Sequence, residues 1–397
     1  MSAAPVSAPP VSAAWPLLGR RLRLAVLGGG AGSFIGPIHR AAARLDDRFE
    51  IIAGVLSSDP ARGEEAARAL AIRHYPDFAA LVAGEPSLDA VAIMTPNDRH
   101  HAECLEAIEA GLHVICDKPL ANSVVEAAEI ATAVRRTMTV FCLTHAYAGY
   151  PMIRQARAMV AAGAIGAVRA IQVEYIQAGM SSRVEDGAIT RKLAWKLSAE
   201  RSGPSLVLGD IGTHAFHLAR FVSGLACVGL SADLGAIVPG RTVDDYCAMF
   251  LRFAGGVPGT LLVSQALAGT ENAITLRVFG DHGHIEWQHA TSNYLTLALQ
   301  GKPVQRLARG DADLLAPAAR LVRIARGHPE GLTEAFANLY RDAAELIAAR
   351  LTSHPVDPLA LDFPTAEDGL EGMKFIDAAL RSRADGGGWV AFDEAAA

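Results

Sequence analysis

Residues 114–119 read Val-Ile-Cys-Asp-Lys-Pro. This short apolar run, which ends in an acid, a lysine and a proline, is typical of a buried strand that stops at a defined turn. Because Pro119 restricts the backbone of the turn, the direction of the Lys118 side chain is more constrained than that of an ordinary surface lysine. The stretch therefore predicts a lysine at the carboxyl end of a buried strand, where open α/β sheets bind their ligands.

A glycine-rich turn follows the first apolar run of the chain. Leu22–Leu27 has the character of a β-strand, Gly28, Gly30 and Gly32 come next, and a helical pattern begins near Pro37. Glycine lets backbone N–H groups approach a pyrophosphate without a Cβ atom in the way. Strand, turn and helix together predict a dinucleotide-binding turn.

The spacing of this turn departs from the usual dinucleotide fingerprint. A strict G-x-G-x-x-G pattern would place glycine at position 33, where the chain has Ser33. A plain strand-to-helix turn is therefore the alternative interpretation. The candidate cofactor-binding residues of the turn are Gly28, Gly30, Ser33, Phe34 and Ile35.

Four further apolar runs alternate with helical patterns up to about residue 147. They are Phe49–Leu56, Leu88–Met94, Leu112–Cys116 and Thr139–Leu143. This alternation predicts an N-terminal Rossmann domain with a doubly wound parallel sheet. The segments expected to share one cleft at the carboxyl ends of its strands are the glycine turn, Ser57, residues 95–97, Lys118 and His145.

The end of the second strand leaves the choice between NAD and NADP open. An acid there would accept a hydrogen bond from the ribose 2′-OH and favour NAD, whereas a hydroxyl and a basic residue would suit NADP. Ser57 and Ser58 come first, Asp59 follows late, and Arg62 is nearby. Ser57, Ser58 and Arg62 are candidate cofactor-binding residues, although Ser-Ser-Asp-Pro is also an ordinary helix N-cap.

The pattern changes after about Tyr147. A helix is followed by an alternating strand at Val168–Gln177, and short strands and turns dominate from Cys227 to about Arg306. Helices return at Leu332–Leu351 and Thr365–Arg381. We expect a C-terminal α+β domain with a large, mostly antiparallel, open-faced sheet. The predicted division is a disordered Ala/Pro/Ser-rich tail over 1–20, the dinucleotide-binding domain over 21–147, and a substrate-binding and oligomerisation domain over 148–397.

Asp210 and His214 lie four residues apart at the entrance of a predicted helix. Such residues share a helix face, and a histidine with a carboxylate one turn away could act as a general base. A structural cap is the alternative interpretation. Gly209 and Gly212, which flank the acid, would allow a ligand to approach closely.

Taken together, these motifs resemble those of the glucose–fructose oxidoreductase / inositol dehydrogenase / rhizopine catabolism family of NAD(P)-dependent dehydrogenases. The resemblance covers about residues 21–385. Its motifs occur in order as Thr95-Pro96-Asn97-x-x-His100, Ala110-Gly111-x-His113-Val114, Asp117-Lys118-Pro119 and Asp210-x-Gly212-x-His214. The ordered set is specific, whereas each piece alone is not.

The resemblance implies roles for individual residues. Lys118 would contact the substrate hydroxyl, His214 would be the general acid/base, and Asp210 would orient both the substrate and His214. The residues implied near the cofactor are Thr95, Pro96, Asn97, His100, Asp117 and Lys118. The family also favours NAD over NADP, and implies a homodimer or homotetramer formed through the C-terminal sheet.

Three features depart from the family pattern. Asp117 stands where the family usually has Glu, and the glycine loop is longer than usual, with extra residues 31–34. Trp195-Lys196 stands where the family often has Trp-Arg, and lysine forms a weaker anion clamp than arginine.

Several residues are further candidates for contacting the substrate. His145 and Tyr147 follow the fifth strand, although aromatic packing at a domain junction would explain them equally well. Trp195 lies in a polar region of the second domain, and His328 lies in a late loop before a helix.

Composition excludes several other classes of protein. The net charge of −6 offers no basic face for nucleic acid, and no apolar run reaches the roughly 20 residues that a membrane-spanning helix needs. The five cysteines are scattered without zinc-ligand or redox spacing, so we expect no metal site and a reducing cytoplasm.

The leading hypothesis is reversible hydride transfer between NAD(P) and a secondary hydroxyl of a sugar, glycoside or cyclitol. A second hypothesis keeps the fold but makes the oxidation transient, as in NAD-dependent redox-cycling glycosidases and lyases. A third is a non-catalytic regulator that senses dinucleotides. Such a regulator would be expected to lose Lys118 or His214, and both are present.

Overall fold

Two β-sheets organise the chain. In the computed structural model, which describes residues 14–187 and 195–392, a six-stranded sheet is followed by a nine-stranded sheet. Both predicted sheet types, a parallel Rossmann sheet and a mostly antiparallel C-terminal sheet, are confirmed.

The first sheet is parallel throughout, with the strand order β3-β2-β1-β4-β5-β6. Its strands are β1 (Leu22–Gly28), β2 (Phe49–Val55), β3 (Arg73–His74), β4 (Ala90–Met94), β5 (His113–Cys116) and β6 (Phe141–Leu143). The helices up to this point are α1 (Ala14–Leu18), α2 (Ile35–Leu45), α3 (Pro60–Leu70), α4 (Phe78–Gly84), α5 (Asn97–Glu109) and α6 (Val124–Thr137). The central strand β4 is apolar and buried along its whole length, as expected of a parallel sheet that is covered on both faces.

The second sheet has one parallel pair, β7 with β10, among otherwise antiparallel neighbours. Its order is β14-β13-β12-β11-β7-β10-β9-β8-β15. Its strands are β7 (Val168–Ile176), β8 (Cys227–Gly235), β9 (Tyr246–Phe253), β10 (Pro258–Ser264), β11 (Ala273–Gly280), β12 (Gly283–Gln288), β13 (Tyr294–Leu299), β14 (Gln305–Ala308) and β15 (Val390–Ala391). Burial alternates along β9, so one face of the sheet packs on the core and the other is open.

Six further α-helices follow β6 in the described ranges; the first leads from one sheet to the other, and the rest lie between strands of the second sheet. They are α7 (Pro151–Ala161), α8 (Ala199–Ser202), α9 (Thr213–Ser223), α10 (Ala316–Ala319), α11 (Leu332–Leu351) and α12 (Ala366–Ala384). Helix α11 returns to the first sheet, where Phe336 and Tyr340 join the apolar cluster that contains Leu22 and Leu24. The late helix therefore completes the core of the N-terminal sheet.

A buried ion-pair network holds helix α11 in this position. Arg154 of α7 and Asp342 of α11 are fully buried, and their side chains lie 2.9 Å apart. Arg320 pairs with the same Asp342 and, at 2.9 Å, with Glu345. Because a buried charge is costly without its partner, this network ties α11 to the segment that leads out of the first domain.

The N-terminal segment differs from the predicted disordered tail. Residues 14–18 form α1, and Leu18 packs against the cluster around α11. Residues 1–13 of the predicted tail lie outside the described residues. None of the helices in the described ranges is long and apolar enough to cross a membrane.

Substitution Asp342→Asn should lower the free energy of unfolding by about 3–5 kcal/mol, because it removes the buried carboxylate that both Arg154 and Arg320 contact and leaves Arg154 only the more distant Asp362 at 3.9 Å. The matched control is Glu64→Gln, which breaks the exposed pair of Glu64 with Arg68. That pair should contribute no more than about 0.5 kcal/mol. Urea denaturation of both variants provides the comparison, and similar losses in the two would contradict the role given to the buried network.

Candidate active site

The carboxyl ends of the N-terminal strands lie along one edge of the sheet. Gly28 pairs with Met94, Ile93 with Cys116, and Cys116 with Leu143, and all three pairs are parallel. The turns that follow β1, β4, β5 and β6 therefore project from the same side. Lys118 and His145 come directly from two of these turns.

The glycine turn after β1 leaves no room for side chains at two positions. A Cβ atom at Gly30 would lie 2.3 Å from the carbonyl oxygen of Leu56, and one at Gly36 would lie 2.1 Å from the carbonyl oxygen of Gly29. Gly36 thus supplies the close contact between helix and turn that a strict fingerprint would place at position 33. The backbone cradle fits the close approach that a dinucleotide pyrophosphate requires.

Ser33 shapes the turn. Its N–H donates to the carbonyl of Gly30 at 3.1 Å, and its Oγ accepts from the N–H of Gly36 at 3.0 Å. Phe34 is exposed, and Ile35 is the first residue of α2. Ser33 therefore takes part in closing the longer loop.

Arg40 is a buried residue beneath the turn that the sequence did not single out. Its guanidinium donates to the carbonyl of Gly29 at 2.5 Å. A buried cation behind the turn favours an anionic ligand in front of it. An arginine in a helix is usually solvated, so the sequence pattern did not predict this role. The contact of the Arg40 side chain with Gly29 reveals it.

The residues after β2 cap helix α3. The Asp59 carboxylate accepts from the N–H groups of Ala61 and Arg62, and Ser57 Oγ accepts from the N–H of Asp59 at 3.1 Å. Ser58 and Arg62 are exposed. The N-cap interpretation of this stretch is thus confirmed, while contact of Ser57, Ser58 or Arg62 with a ribose stays a prediction.

Three residues predicted to lie near the cofactor brace the surrounding turns. His100 is fully buried, with Nδ1 2.8 Å from the carbonyl oxygen of Pro119 and Nε2 2.9 Å from that of Thr95. The Thr95 hydroxyl donates to Glu103 at 2.5 Å, and Asn97 Nδ2 donates to the carbonyl of Ser202 at 3.0 Å. His100 therefore joins the turns after β4 and β5, and Asn97 joins the first domain to the second.

Asp117 fixes the backbone in front of Lys118. Its Oδ1 accepts from the N–H of Lys118 at 3.0 Å and from the Thr144 hydroxyl at 2.9 Å. The aspartate is one methylene shorter than the glutamate of the family pattern. It is hydrogen-bonded to Thr144 in the turn that follows β6.

The Asp210 carboxylate holds two lysines. Lys118 Nζ lies 3.5 Å from Asp210 Oδ1 and also donates to the Asp210 carbonyl. Lys196 Nζ donates to Asp210 Oδ2, which also accepts from Gln265 Nε2 at 2.6 Å. Burial by itself raises the pKa of Asp210, but the charges of Lys196 and Lys118 and these hydrogen bonds outweigh it and hold the pKa well below its usual value.

The predicted contact between Asp210 and His214 is not found among the hydrogen bonds of the described residues. Asp210 lies in a π-helical turn at Leu208–Gly212, immediately before α9. This wider turn replaces the α-helical geometry expected for residues four apart. The nearest polar partner of His214 is instead His145, with the two Nδ1 atoms 3.3 Å apart.

His214 is one of three neighbouring buried histidines. His145 stacks on His217 with ring centroids 4.5 Å apart and an angle of 7° between the rings. Burial and then the charge of Lys118 lower the pKa of His214 well below its usual value. Burial, followed by the nearby arginines 220, 157 and 154, lowers the pKa of His217 to about 3. All three imidazoles are therefore neutral near pH 7, as a general base must be.

A wall of uncharged polar side chains extends from Asp210 across the second sheet. Gln265 donates to Gln177 Oε1 at 3.2 Å, and Gln177 donates to Asn272 Oδ1 at 2.6 Å. Asn272 accepts from the Tyr175 hydroxyl at 2.7 Å and donates to the Tyr147 hydroxyl at 3.2 Å. Of these five residues the sequence pointed only to Tyr147, since single polar residues at strand ends carry no recognisable spacing.

Two residues predicted to contact the substrate, Trp195 and His328, have no hydrogen bond to the cluster around Asp210 among the described residues. Trp195 is half-buried next to Lys196, and its Nε1 has no hydrogen-bond partner among the described residues. His328 is exposed, and its backbone contacts Arg309 and Ala325. The contacts of His328 thus do not join it to the cluster around Asp210. No group of three or more potential metal ligands occurs within residues 14–187 and 195–392.

Comparison with known proteins gives a consistent picture. Residues 22–145 match the model of an oxidoreductase family with an NAD-binding Rossmann fold, and residues 153–286 match the GFO/IDH/MocA C-terminal domain. The chain is 32% identical to the uncharacterized oxidoreductase YfiI of Bacillus subtilis over 386 residues, covering 95% of this chain and 98% of the relative. It is 26% identical to a levoglucosan dehydrogenase of Pseudarthrobacter phenanthrenivorans, covering 72% of this chain and 78% of that protein.

A solved structure is similar over nearly the whole chain. It is an inositol dehydrogenase homolog from Azotobacter vinelandii complexed with NADH and myo-inositol, 35% identical, with a TM-score of 0.86 over 94% of this chain and 98% of that one. The motifs, the two sheets and these matches agree, and the chain belongs to the GFO/IDH/MocA family of NAD-binding oxidoreductases.

Proposed function

We propose that the protein transfers a hydride between NAD and a secondary hydroxyl of a sugar, glycoside or cyclitol. The observation that carries the proposal is the cluster at the sheet edge, where Lys118 pairs with Asp210 and the helix that begins directly after Asp210 carries the buried His214. A cation and an imidazole in one cluster supply the charge stabilisation and the base that oxidation of an alcohol needs. The relative complexed with NADH and myo-inositol and the levoglucosan dehydrogenase support this substrate class.

The roles of the residues follow from their charge and burial. Bound NAD would supply the acceptor for the hydride that leaves the substrate carbon. His214 removes the hydroxyl proton, and Lys118 stabilises the negative charge that develops on the oxygen. Because Lys118 is largely buried, its charge acts in a medium of lower effective dielectric than bulk water.

Asp210 and Lys196 set the position of Lys118. The Asp210 carboxylate compensates the charge of one buried lysine, so the pair of lysines leaves about one positive charge for the substrate oxygen. Asp210 therefore positions the two lysines and does not pair directly with His214. Gln265, the residue that follows β10, donates a hydrogen bond to the same carboxylate.

The polar wall supports a neutral substrate with several hydroxyl groups. Gln177, Asn272 and Tyr175 already exchange hydrogen bonds among themselves, and hydroxyl groups can replace such bonds without a change in charge. Gln265 Oε1 is buried without a partner among the described residues, and it offers an acceptor next to Asp210.

The open face of the second sheet supports a homodimer or homotetramer. A groove of about 650 Å³ crosses this face, lined among others by Phe250, Thr260 and Leu262. Phe250 is 63% exposed, as expected for a residue that a second copy would cover. The five buried cysteines, none in a disulfide, support a reducing compartment such as the cytoplasm.

Removal of either catalytic group should abolish most of the oxidation rate. We expect Lys118→Ala to lower kcat by about 10²–10³-fold and His214→Ala by about 10²–10⁴-fold. Binding of NAD, followed by tryptophan fluorescence, should be nearly unchanged in both. The controls are Lys302→Ala and His282→Ala at exposed positions, which should retain full turnover. Normal turnover in both active-site variants would exclude the proposed roles.

Product analysis separates a dehydrogenase from a redox-cycling glycosidase or lyase. Incubation with NAD and a panel of inositols, aldoses and glycosides should give one molecule of reduced cofactor for each molecule of substrate oxidised, measured by absorbance and by chromatography of the products. Release of sugar from a glycoside without accumulation of reduced cofactor would instead establish the transient oxidation. Binding of NAD without either reaction would favour the regulator.

A further inference from the structure

The contact between His145 and His214 determines which ring nitrogen of His214 carries its proton. Their Nδ1 atoms lie 3.3 Å apart, and both rings are nearly inaccessible to solvent. Two lone pairs repel each other, and so do two N–H groups, so one of the two nitrogens carries a proton and the other accepts it in a hydrogen bond. The direction of this bond decides what His214 can do.

Only one direction is compatible with acid/base catalysis. If the Nδ1 of His145 were the donor, neutral His214 would carry its proton on Nε2 and would have no lone pair there for a substrate hydroxyl. His214 could also not become an imidazolium without breaking the contact. If His214 Nδ1–H is the donor, Nε2 is free to accept a proton, and the same bond persists in the imidazolium.

We propose that His145 is a positioning residue, which accepts a hydrogen bond from His214 Nδ1–H and so keeps the Nε2 of His214 free as the general base. The inference rests on the proposed function for its catalytic meaning. During oxidation the substrate O–H bond breaks and an Nε2–H bond forms on His214. The C–H electron pair leaves with the hydride to the nicotinamide, and the Nδ1–H stays on His214.

The surroundings hold His145 in the required orientation. Its ring stacks on His217, its backbone N–H donates to the carbonyl of Leu143 at 2.8 Å, and its backbone carbonyl accepts from Ala148 N–H at 3.0 Å. The preceding residue, Thr144, is bound to Asp117 and to the backbone of Cys116. The acceptor is therefore fixed by the same turns that place Lys118.

A neutral acceptor has a different effect from a carboxylate. In a His–Asp pair the carboxylate raises the pKa of the imidazole, but here Asp210 is engaged by two lysines. The groups that face the two imidazoles are Lys118 after β5, Tyr147 after β6, Tyr175 of β7, His217 and Arg220 of α9, and Asp368 of α12. A new carboxylate at position 145 would thus be the only added charge in otherwise unchanged surroundings.

Three substitutions of His145 test the proposal, and all three remove the stack on His217 equally. His145→Asn retains an acceptor close to the former Nδ1 position and should retain most of kcat. His145→Leu has no acceptor and should lower kcat on the order of 10²-fold or more, with KM little changed. His145→Asp should move the acid limb of the pH profile of kcat/KM to higher pH, because a carboxylate raises the pKa of His214.

The tautomer itself can be measured without any substrate. Ring ¹⁵N chemical shifts of histidine-labelled protein, assigned by comparison with the His214→Gln variant, should show the proton of His214 on Nδ1. A proton on Nε2, equal losses in the Leu and Asn variants, or an unmoved acid limb in the Asp variant would each overturn the proposal. Should no compound of the panel reduce NAD, the ¹⁵N shifts still decide the tautomer, so failure of the proposed function is distinguishable from failure of this inference.

Discussion

The Asp210 carboxylate is the interaction on which the candidate site depends. It binds Lys118 from the first sheet, Lys196 from the second domain and Gln265 from the end of β10. The carboxylate is partly buried, with 26% of its side-chain surface exposed, and the two cations outweigh the effect of this burial on its pKa. The first domain thus supplies the Lys118 cation and the second domain the Asp210 carboxylate, and each charge stabilises the other.

The fold places these groups with little freedom. Lys118 leaves β5 at a proline turn, Asp117 ties that turn to Thr144, and His100 ties it to the turn after β4. On the other side, a π-helical turn presents Asp210 directly before the helix that carries His214. An active site built from strand ends and a helix start is more rigid than one built on loops, which favours fixed geometry for hydride transfer.

Much of this could be predicted from the sequence, because it depends on local pattern. Apolar runs separated by helical periodicity predicted β1, β2, β4, β5 and β6, and the turns that follow them carry Lys118 and His145. The two-residue strand β3 and the short α1 escaped, since segments of two to five residues have too little periodicity to be recognised. Gly36 was indicated by the family resemblance, in which Ile35-Gly36-x-x-His39 ends the turn, and its close approach to the carbonyl of Gly29 agrees with that position.

The hydrogen-bond partners within the site could not be predicted, because they join residues far apart in the chain. Asp210 and His214 are close in sequence, and both helical periodicity and the family resemblance suggested that they form a pair. The π turn and the two lysines direct Asp210 elsewhere, and His145, 69 residues earlier, takes its place. Gln177 and Asn272 were missed for the same reason, since nothing local marks a polar residue that lines a site.

The most direct test of the proposed hydride transfer traces the hydrogen atom that leaves the substrate carbon. Cyclitols and sugars deuterated at their ring carbons would be incubated with the enzyme and NAD, and the cofactor would be examined by mass spectrometry. The account predicts that deuterium from one ring carbon appears on the nicotinamide, together with a ketone product and a primary isotope effect on the hydride-transfer step. A cofactor that remains oxidised and unlabelled with every compound, while the protein still binds NAD, would contradict it.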